Sequence, residues 1–386
     1  MGKPKIRFKG YQEDWEQRKL SDVVNIGSGM DYKHLGEGNI PVYGTGGYMC
    51  SVDKALSNDK DAIGIGRKGT IDKPYLLRAP FWTVDTLFYC IPKEDYDLDF
   101  TSCLFQNVDW KKKDESTGVP SLSKLIISNV ETDTPTFDEQ IKIGEYFSNL
   151  DHLITLHQRK CEEMKTLKKY MLQKMFPQNG QLVPQIRFSG FTEDWEQRKL
   201  GDFGKATGGT SIESEFSEDG IYKVISIGSY SENGVYNDQG IRAIKSDKTS
   251  NRVLNRNDLT MILNDKTTSG NIIGRVLLIE ESGIYVYNQR TERIEINLDE
   301  YDPVFLYEML NAPNIREKII KQAQGNTQIY VNWIAISLLE YMIPSKEEQV
   351  KIGEYLHSIS NLITLHQQKC DELRNIKKFM LQNMFI

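Results

Sequence analysis

The sequence contains few cysteines, and their spacing excludes two classes of site. Five occur in 386 residues, and none forms a C-x-x-C pair: Cys50, Cys90, Cys103, Cys161 and Cys370. A disulfide framework or a structural zinc site needs cysteines clustered at fixed spacings. We therefore expect reduced thiols and no metal site built from this set.

Long apolar runs are also missing. No stretch approaches the roughly eighteen apolar residues of a membrane span. The first residues, MGKPKIRFKG, hold no apolar core of a secretory signal. Hydrophobic residues make up 39% and charged residues 26%, as in ordinary globular proteins. We expect a cytoplasmic protein of two or three domains with no membrane partner.

An excess of basic residues is absent too. Lys and Arg number 48 against 54 Asp and Glu, which gives a net charge of −6. Proteins that coat nucleic acid without sequence preference are basic, because they neutralise phosphates. The charge excludes that class, but it leaves open a protein that reads bases with a few side chains.

What the sequence does contain is a repeat. Residues 4–22 and 184–202 are identical at fourteen of nineteen positions, and residues 138–176 and 347–385 at twenty-three of thirty-nine. The stretches between, 23–137 and 203–346, barely match, and the second is 29 residues longer. The period is too long for a solenoid. The chain therefore reads as two copies of one unit, each with a lead segment, a variable domain and a long helix.

The repeat predicts the domain boundaries. A lead segment and first variable domain occupy 1–137, the first helix 138–176, a linker 177–183, the second lead segment and variable domain 184–346, and the second helix 347–386. Short apolar runs broken by glycines indicate strands in the variable domains, and residues 303–323 indicate a helix. Each variable domain is predicted to be α/β, with mixed strands and helices.

The long helices carry start signals and a heptad pattern. Thr136 and Ser345 each precede a glutamate by three residues, which is the spacing of a capping box. Apolar positions then alternate by four and three, as in a coiled coil. The seam is predicted at Ile143, Phe147, Leu150, Ile154, His157 and Cys161, and at Ile352, Leu356, Ile359, Ile363, His366 and Cys370. If a pseudo-two-fold relates the halves, the helices pair antiparallel with the variable domains at opposite ends.

His157, Cys161, His366 and Cys370 have two interpretations. Polar residues at equivalent seam positions set helix register at a cost in stability. His and Cys four residues apart on one helix face could instead bind zinc, although the sequence offers no further ligand. The register interpretation needs no additional residue.

Polar loops in the variable domains are candidates for reading bases. Arg and Lys suit guanine, Asn and Gln suit adenine, and Ser and Thr are permissive. Such residues also serve turns, so the structural alternative stays open. The candidates are Tyr43, Thr45, Tyr48, Arg67, Lys68 and Thr70 in the first domain, and Asn264, Lys266, Thr267, Thr268, Ser269, Gln324, Asn326 and Gln328 in the second.

The order of these segments resembles the specificity subunit of type I restriction–modification systems. The resemblance rests on a lead segment IRFxGFxxDWEQRKLxD, a target-recognition domain and a helix EQxKIGEYxxxxxxLITLHQxKC, all duplicated. It implies that each variable domain reads one half of a bipartite DNA site and that an antiparallel coiled coil sets the spacing. It also adds Ser116 and Thr117, in the glycine-containing loop before the first helix, to the candidates.

The resemblance also implies partners. Double-stranded DNA, two methyltransferase subunits and two restriction/translocase subunits are expected, with S-adenosylmethionine, ATP and Mg bound by those subunits and no cofactor or metal by this chain. Trp15, Arg18, Trp195 and Arg198 of the lead segments are candidates for docking the methyltransferases. The alternative is that they cover the helix ends, because the chain leaves the first helix and enters the second lead segment at once.

Catalytic motifs are missing. The sequence has no [DN]-P-P-[FYW] motif and no glycine-rich S-adenosylmethionine loop of adenine methyltransferases, and no Walker A motif. Base flipping and methyl transfer are therefore assigned to a partner. A coiled-coil scaffold without DNA contact, and a nuclease or methyltransferase in its own right, remain the alternatives.

Overall fold

A computed structural model describes residues 3–114, 116–178, 180–232, 234–265, 270–326 and 328–385. The chain divides into two compact units. The first comprises Met1–Arg159 with His366–Ile386, and the second comprises Lys160–Leu365. Each unit therefore contains one variable domain, the first part of its own long helix and the last part of the other.

The first half of the chain contributes nine strands and four helices over its described residues. The strands are β1 (Glu16–Lys19), β2 (Val24–Ser28), β3 (Ile40–Gly44), β4 (Gly47–Val52), β5 (Ala62–Gly66), β6 (Tyr75–Leu77), β7 (Trp82–Thr83), β8 (Leu87–Pro92) and β9 (Glu131–Thr134). The helices are α1 (Leu20–Val23), α2 (Leu98–Asn107), α3 (Lys124–Ser128) and α4 (Phe137–Lys174), with a 3₁₀ turn at Trp110–Lys113.

The second half repeats this order with additions. The strands are β10 (Glu196–Lys199), β11 (Gly204–Gly208), β12 (Tyr222–Ile225), β13 (Arg242–Ala243), β14 (Leu259–Ile262), β15 (Asn264–Asp265), β16 (Val276–Leu278), β17 (Tyr285–Tyr287), β18 (Thr291–Ile296), β19 (Ile329–Tyr330) and β20 (Glu340–Ile343). The helices are α5 (Asp247–Ser250), α6 (Pro303–Asn311), α7 (Pro313–Ile320), α8 (Trp333–Ser337) and α9 (Lys346–Met384), with 3₁₀ turns at Leu200–Phe203, Glu213–Glu215 and Ile227–Ser229.

The two variable domains share one sheet topology although their sequences barely match. The first has a four-stranded sheet in the order β2-β8-β5-β6 and a three-stranded sheet β4-β3-β7. The second has β11-β18-β14-β16 and β13-β12-β17. In each small sheet one pair is parallel, β3 with β7 and β12 with β17. The α/β prediction is thus confirmed, and the inserts are versions of one domain.

In the first unit the two long helices run antiparallel. Asp151 accepts hydrogen bonds from Lys377 at 2.7 and 2.8 Å, and the Cys370 thiol donates to the carbonyl of Ile154 at 3.7 Å. Further along α4, His157 Nδ1 lies 2.9 Å from His366 Nδ1. Residue numbers rise along α4 as they fall along α9, as the antiparallel prediction requires.

The second unit repeats the antiparallel contact with the other parts of both helices. The Cys161 thiol donates to the carbonyl of Ile363 at 3.9 Å. Lys168 donates to Ser360 at 2.6 Å and pairs with Glu308 at 2.8 Å. The predicted seam side chains are buried in their respective units, except that His157, Ile363 and His366 are half-buried.

The glutamate of each predicted capping box has a different role. The carboxylate of Glu139 accepts two hydrogen bonds from Arg7, both at 2.7 Å, and Glu348 accepts the same pair from Arg187 at 2.7 and 2.8 Å. Both glutamate side chains are fully buried. The Arg of each lead segment therefore fastens that segment to the start of a long helix. The capping-box interpretation was wrong for these carboxylates, although Ser345 does accept from the Glu348 amide at 3.4 Å.

A second contact joins each variable domain to its long helix. Asp97 accepts from the Phe100 amide at 2.8 Å and so caps α2, and Asp302 caps α6 through the Phe305 amide at 2.7 Å. Each cap packs against a glycine of the repeated KIGEY sequence. A Cβ at Gly144 would lie 2.3 Å from Asp97 Oδ1, and a Cβ at Gly353 would lie 2.8 Å from Asp302 Oδ1. The glycines let α2 and α6 approach the long helices.

The lead-segment indoles lie in the cores of their units. Trp15 is 1% exposed and packs edge-on against Phe385, which follows α9. Trp195 is 2% exposed and packs in the same way against Phe176, which follows α4. This placement corresponds to the helix-end alternative for the indoles. Arg18 and Arg198 are exposed on β1 and β10, where they pair with Glu16 and Glu196.

Candidate nucleic-acid interface

Two loops meet at one end of the large sheet in the first domain. The loop after β5 carries Arg67 and Lys68, and it lies against the segment that precedes α3. Gly69 donates its amide to the Pro120 carbonyl at 2.8 Å, and Leu122 donates to the Arg67 carbonyl at 2.9 Å. Gly69 has φ +96°, a conformation that glycine adopts without strain. The backbone therefore holds the two cations in place.

An open recess of about 890 Å³ lies between these loops. It brings together four residues predicted from the sequence: Arg67, Lys68, Ser116 and Thr117. The other lining residues, which were not predicted, include Ser28 at the end of β2, Phe88 of β8 and Lys124 of α3. The Arg67 guanidinium lies 5.9 Å from the centre of the Phe88 ring. The recess is thus lined by three cations, by several hydroxyl groups and by the aromatic ring of Phe88.

The hairpin between β3 and β4 adds aromatic surface. Tyr43 and Tyr48 lie edge-on with ring centres 6.4 Å apart, and Tyr48 is 63% exposed. A Cβ at Gly69 would lie 3.9 Å from Thr45 Oγ1, so the turn adjoins the Arg67 loop. Burial next to Tyr43 raises the pKa of Tyr75, which keeps that phenol neutral. Thr70 is half-buried beyond Gly69.

The second domain places Asn264 where the first places Lys68. The Val331 amide donates to the Leu263 carbonyl at 2.9 Å, as Leu122 does to Arg67. Asn264 then pairs with Tyr330, as Lys68 pairs with Ser121. Hydrogen bonding therefore makes Lys68 and Asn264 equivalent positions in the two domains.

A polar hairpin stands beside Asn264. Gln324 and Tyr330 exchange two backbone hydrogen bonds, each of 2.9 Å, so the chain is held together at these two residues. Gly325 has φ +96°, and a Cβ there would lie 2.2 Å from the Gln328 carbonyl oxygen. The side chains of Gln324, Asn326 and Gln328 are exposed. Four candidates, Lys266, Thr267, Thr268 and Ser269, lie outside the described residues.

The half-buried Arg275 and the buried Arg316 anchor residues 271–275. Arg275 donates to the Asn311 carbonyl at 3.0 Å, and Arg316 donates to the Asn271 and Ile273 carbonyls at 2.9 and 2.8 Å. Burial lowers the pKa of Arg275 to about 10, and the neighbouring Arg316 adds to the effect. Both arginines donate hydrogen bonds to backbone carbonyls, and these bonds fix residues 271–275 against α6 and α7.

Two further features of the described residues bear on chemistry. No group of three or more His, Cys, Asp or Glu side chains is placed to hold a metal ion there. Within the same ranges, no helix is long and apolar enough to cross a membrane.

Known proteins match the sequence and the fold. The family model of the type I restriction modification DNA specificity domain matches residues 12–166 and 192–375. The specificity subunit of the type I restriction enzyme MjaVIII from Methanocaldococcus jannaschii is 26% identical over 276 residues. That alignment covers 69% of this chain and 64% of the relative, which is less than two thirds of its length.

Solved structures share the fold. The S subunit of a type I restriction–modification system from M. genitalium matches with a TM-score of 0.74 at 14% identity, over 100% of this chain and 99% of that one. A chain from a structure on complex assembly and conformational transition of the type I system matches with a TM-score of 0.50 at 13% identity, over 97% and 98%. At these identities the likeness shows the fold alone. Because the family model covers both repeats, the chain belongs to the type I restriction–modification DNA specificity family.

Proposed function

We propose that this chain is the non-catalytic specificity subunit of a type I restriction–modification complex. Each variable domain reads one half of an asymmetric bipartite DNA site, and the coiled coil sets the spacing between the halves. Partner subunits methylate adenine and restrict the DNA, and they bind the S-adenosylmethionine, ATP and Mg that those reactions need.

One observation carries the proposal. The two domains have the same sheet topology, but equivalent positions at the loop ends carry different readers: Lys68 in the first and Asn264 in the second. Lys donates to guanine acceptors, whereas Asn can bond adenine on two atoms. Two domains of one fold with different loop chemistry should read different sequences, so the complete site should be asymmetric.

Spacing follows from the long helices. α4 is 38 residues long, which is about 57 Å at 1.5 Å per residue. Successive major grooves on one face of DNA recur about every 34–36 Å. A strut of this length is sufficient to hold two readers at sites one or more turns apart.

Repeated exposed surfaces support two copies of one partner. Leu153 and Leu156 of α4 are exposed, as are the equivalent Leu362 and Leu365 of α9. The two leucines of each pair are three residues apart and so lie on one helix face, and contiguous exposed apolar surface marks interaction sites. We assign these pairs, with Arg18 and Arg198 of the lead segments, to two methyltransferase subunits. Two restriction/translocase subunits complete the complex.

The test compares the chain alone with the chain bound to its methyltransferase. The acidic net charge leaves much phosphate neutralisation to the partner, so the isolated chain should bind DNA weakly and with strong salt dependence. In gel-shift assays the affinity for DNA should rise when the methyltransferase is added. Methylome mapping should show one asymmetric two-part site. Nanomolar specific binding by the isolated chain would contradict the division of labour. A methylome without sequence preference would favour a scaffold that does not contact DNA.

A further inference from the structure

Strand register places Glu292 and Phe88 at the same point of the two domains. Glu292 on β18 pairs with Gly208 at the end of β11. Phe88 on β8 pairs with Ser28 at the end of β2. Because β8 and β18 occupy the same place in sheets of identical order, the two side chains stand at equivalent positions. In the first domain this position lines the recess that holds Arg67 and Lys68.

The Glu292 side chain is largely buried, and its carboxylate has no partner among the described residues. The residue is 6% exposed, and none of the described residues donates a hydrogen bond to its carboxylate or lies within ion-pair distance. The nearby Arg252 is engaged elsewhere, since it donates to the Gly208 carbonyl, the Tyr287 hydroxyl and Thr210 Oγ1. Burial raises the pKa of Glu292 to about 7. A buried carboxylate without donors is costly to the fold, which points to a use in binding.

The neighbouring glycine leaves the carboxylate uncovered on one side. A Cβ at Gly208 would lie 3.3 Å from Glu292 Oε2, so any larger residue there would crowd the carboxylate. The equivalent residue in the first domain is Ser28, and its neighbour Phe88 offers no acceptor. The second domain therefore has a carboxyl group, which only accepts hydrogen bonds when it is ionised, where the first has an aromatic ring beneath a cation.

We infer that Glu292 is a specificity-determining residue of the second domain, and that its carboxylate accepts a hydrogen bond from the exocyclic amino group of a cytosine. The inference rests on the proposed function and names the base class that one position reads. In the major groove guanine and thymine present acceptors that repel a carboxylate, and adenine sets an acceptor beside its amino group. Cytosine presents a donor alone. The first domain, with Phe88 at this position, lacks the same preference.

The experiment uses the assembled methyltransferase and a DNA library with both half-sites randomised, at pH 8, where the Glu292 carboxyl is mostly ionised. Glu292→Gln is compared with the wild type, and Glu295→Gln is the matched control. Glu295 lies on the same strand but is exposed and paired with Arg293. The wild type should require cytosine at one position of the second half-site. The Gln variant should also accept thymine there, because an amide both donates and accepts. Its preference for cytosine over thymine should fall about 5- to 150-fold, the range of one good base contact.

Several results would overturn the inference. Unchanged base preferences in both half-sites for Glu292→Gln would reduce Glu292 to a structural residue, and so would a change confined to the first half-site. Glu292→Asp keeps the charge with a shorter reach, so it should retain the cytosine preference at a lower rate. If Glu292→Asp lost the cytosine preference while methylating DNA at the wild-type rate, that result would contradict the inference. It would do so even if the Gln variant did not fold. A wild type without any sequence preference would instead overturn the proposed function itself.

Discussion

Removing Arg7 should destabilise the first unit far more than an ordinary surface change. The guanidinium makes two 2.7 Å hydrogen bonds to Glu139, whose side chain is fully buried, while that of Arg7 is 13% exposed. These bonds raise the pKa of Arg7, so its guanidinium stays charged. Arg7→Met keeps much of the side-chain volume but leaves the Glu139 carboxylate without its cation.

The magnitude follows from that geometry. Breaking a buried pair by removing one partner costs about 3–5 kcal/mol, because a buried charge is left uncompensated. Removing both charges, as in Arg7→Met with Glu139→Gln, should recover about 2 kcal/mol or more of that loss. Lys3 pairs with Asp14 at 3.5 Å, but both side chains are about half exposed, so Lys3→Met is the control and should cost under about 0.5 kcal/mol.

Urea unfolding followed by tryptophan fluorescence measures these differences. Trp15 and Trp110 are 1% exposed and report on the first unit. The shift in midpoint at constant m-value gives the change in free energy of unfolding. Arg187→Met removes the equivalent guanidinium in the second unit and should give a similar loss. Two results would refute the claim that the Arg7–Glu139 pair fastens the lead segment to the helix. One is a loss of less than about 0.5 kcal/mol in the free energy of unfolding for Arg7→Met. The other is a double variant that is no more stable than the single one.

Three further predictions concern the frame and the second domain. Gly353→Ala brings a Cβ to 2.8 Å from Asp302 Oδ1 and should cost about 1–3 kcal/mol in thermal unfolding, whereas an alanine in the open space at Gly118 should not. The pKa of Glu292 is about 7 in the folded chain and about 4.5 in the unfolded chain, so only the folded chain keeps this proton between those pH values. The free energy of unfolding should therefore fall as pH rises from about 4.5 to 7. Glu292→Gln should not show this fall and should be about 1–2 kcal/mol more stable than the wild type at pH 8. A circular permutant would be opened within 177–183, with residue 385 joined to residue 4 through a copy of that linker. It should keep the fold and the methylated sequence, because the Ile6 amide donates to the Asn383 carbonyl at 3.0 Å, just as the Ile186 amide donates to the Lys174 carbonyl at 3.0 Å.

The sequence predicted the frame well, for a physical reason. The lead segments match at fourteen of nineteen positions and the long helices at twenty-three of thirty-nine, and the heptad spacing of the helices specifies a seam directly. It misassigned Glu139 and Glu348, because the capping-box spacing is local, whereas the arginines that bind them lie more than a hundred residues away. A repeated signal was also overlooked: Tyr-Asp-x-x-Phe at residues 96–100 and 301–305, which caps α2 and α6 against the long helices.

The candidate site was only partly predictable. Arg67 and Lys68 were selected by residue type, and Ser116 and Thr117 by the family resemblance. The structure brings all four into one recess. Neither Phe88 nor the equivalence of Lys68 with Asn264 could be read from the sequence, since both depend on pairing between strands of inserts that barely match. Glu292 lies in a strand with two other charged residues, Arg293 and Glu295, and nothing in the local sequence distinguishes it from them. Only the shared sheet order shows that it faces the same place as Phe88.

Exchanging one insert tests the central claim most directly. The claim is that two independent readers stand on one duplicated frame. Residues 203–346 would be replaced by the corresponding insert of a relative, and the methylome of cells carrying the hybrid and its methyltransferase would be mapped at single-molecule level. The account predicts a new second half-site with the first half-site and the spacing unchanged. A methylome in which both half-sites change, or in which neither does, would contradict it.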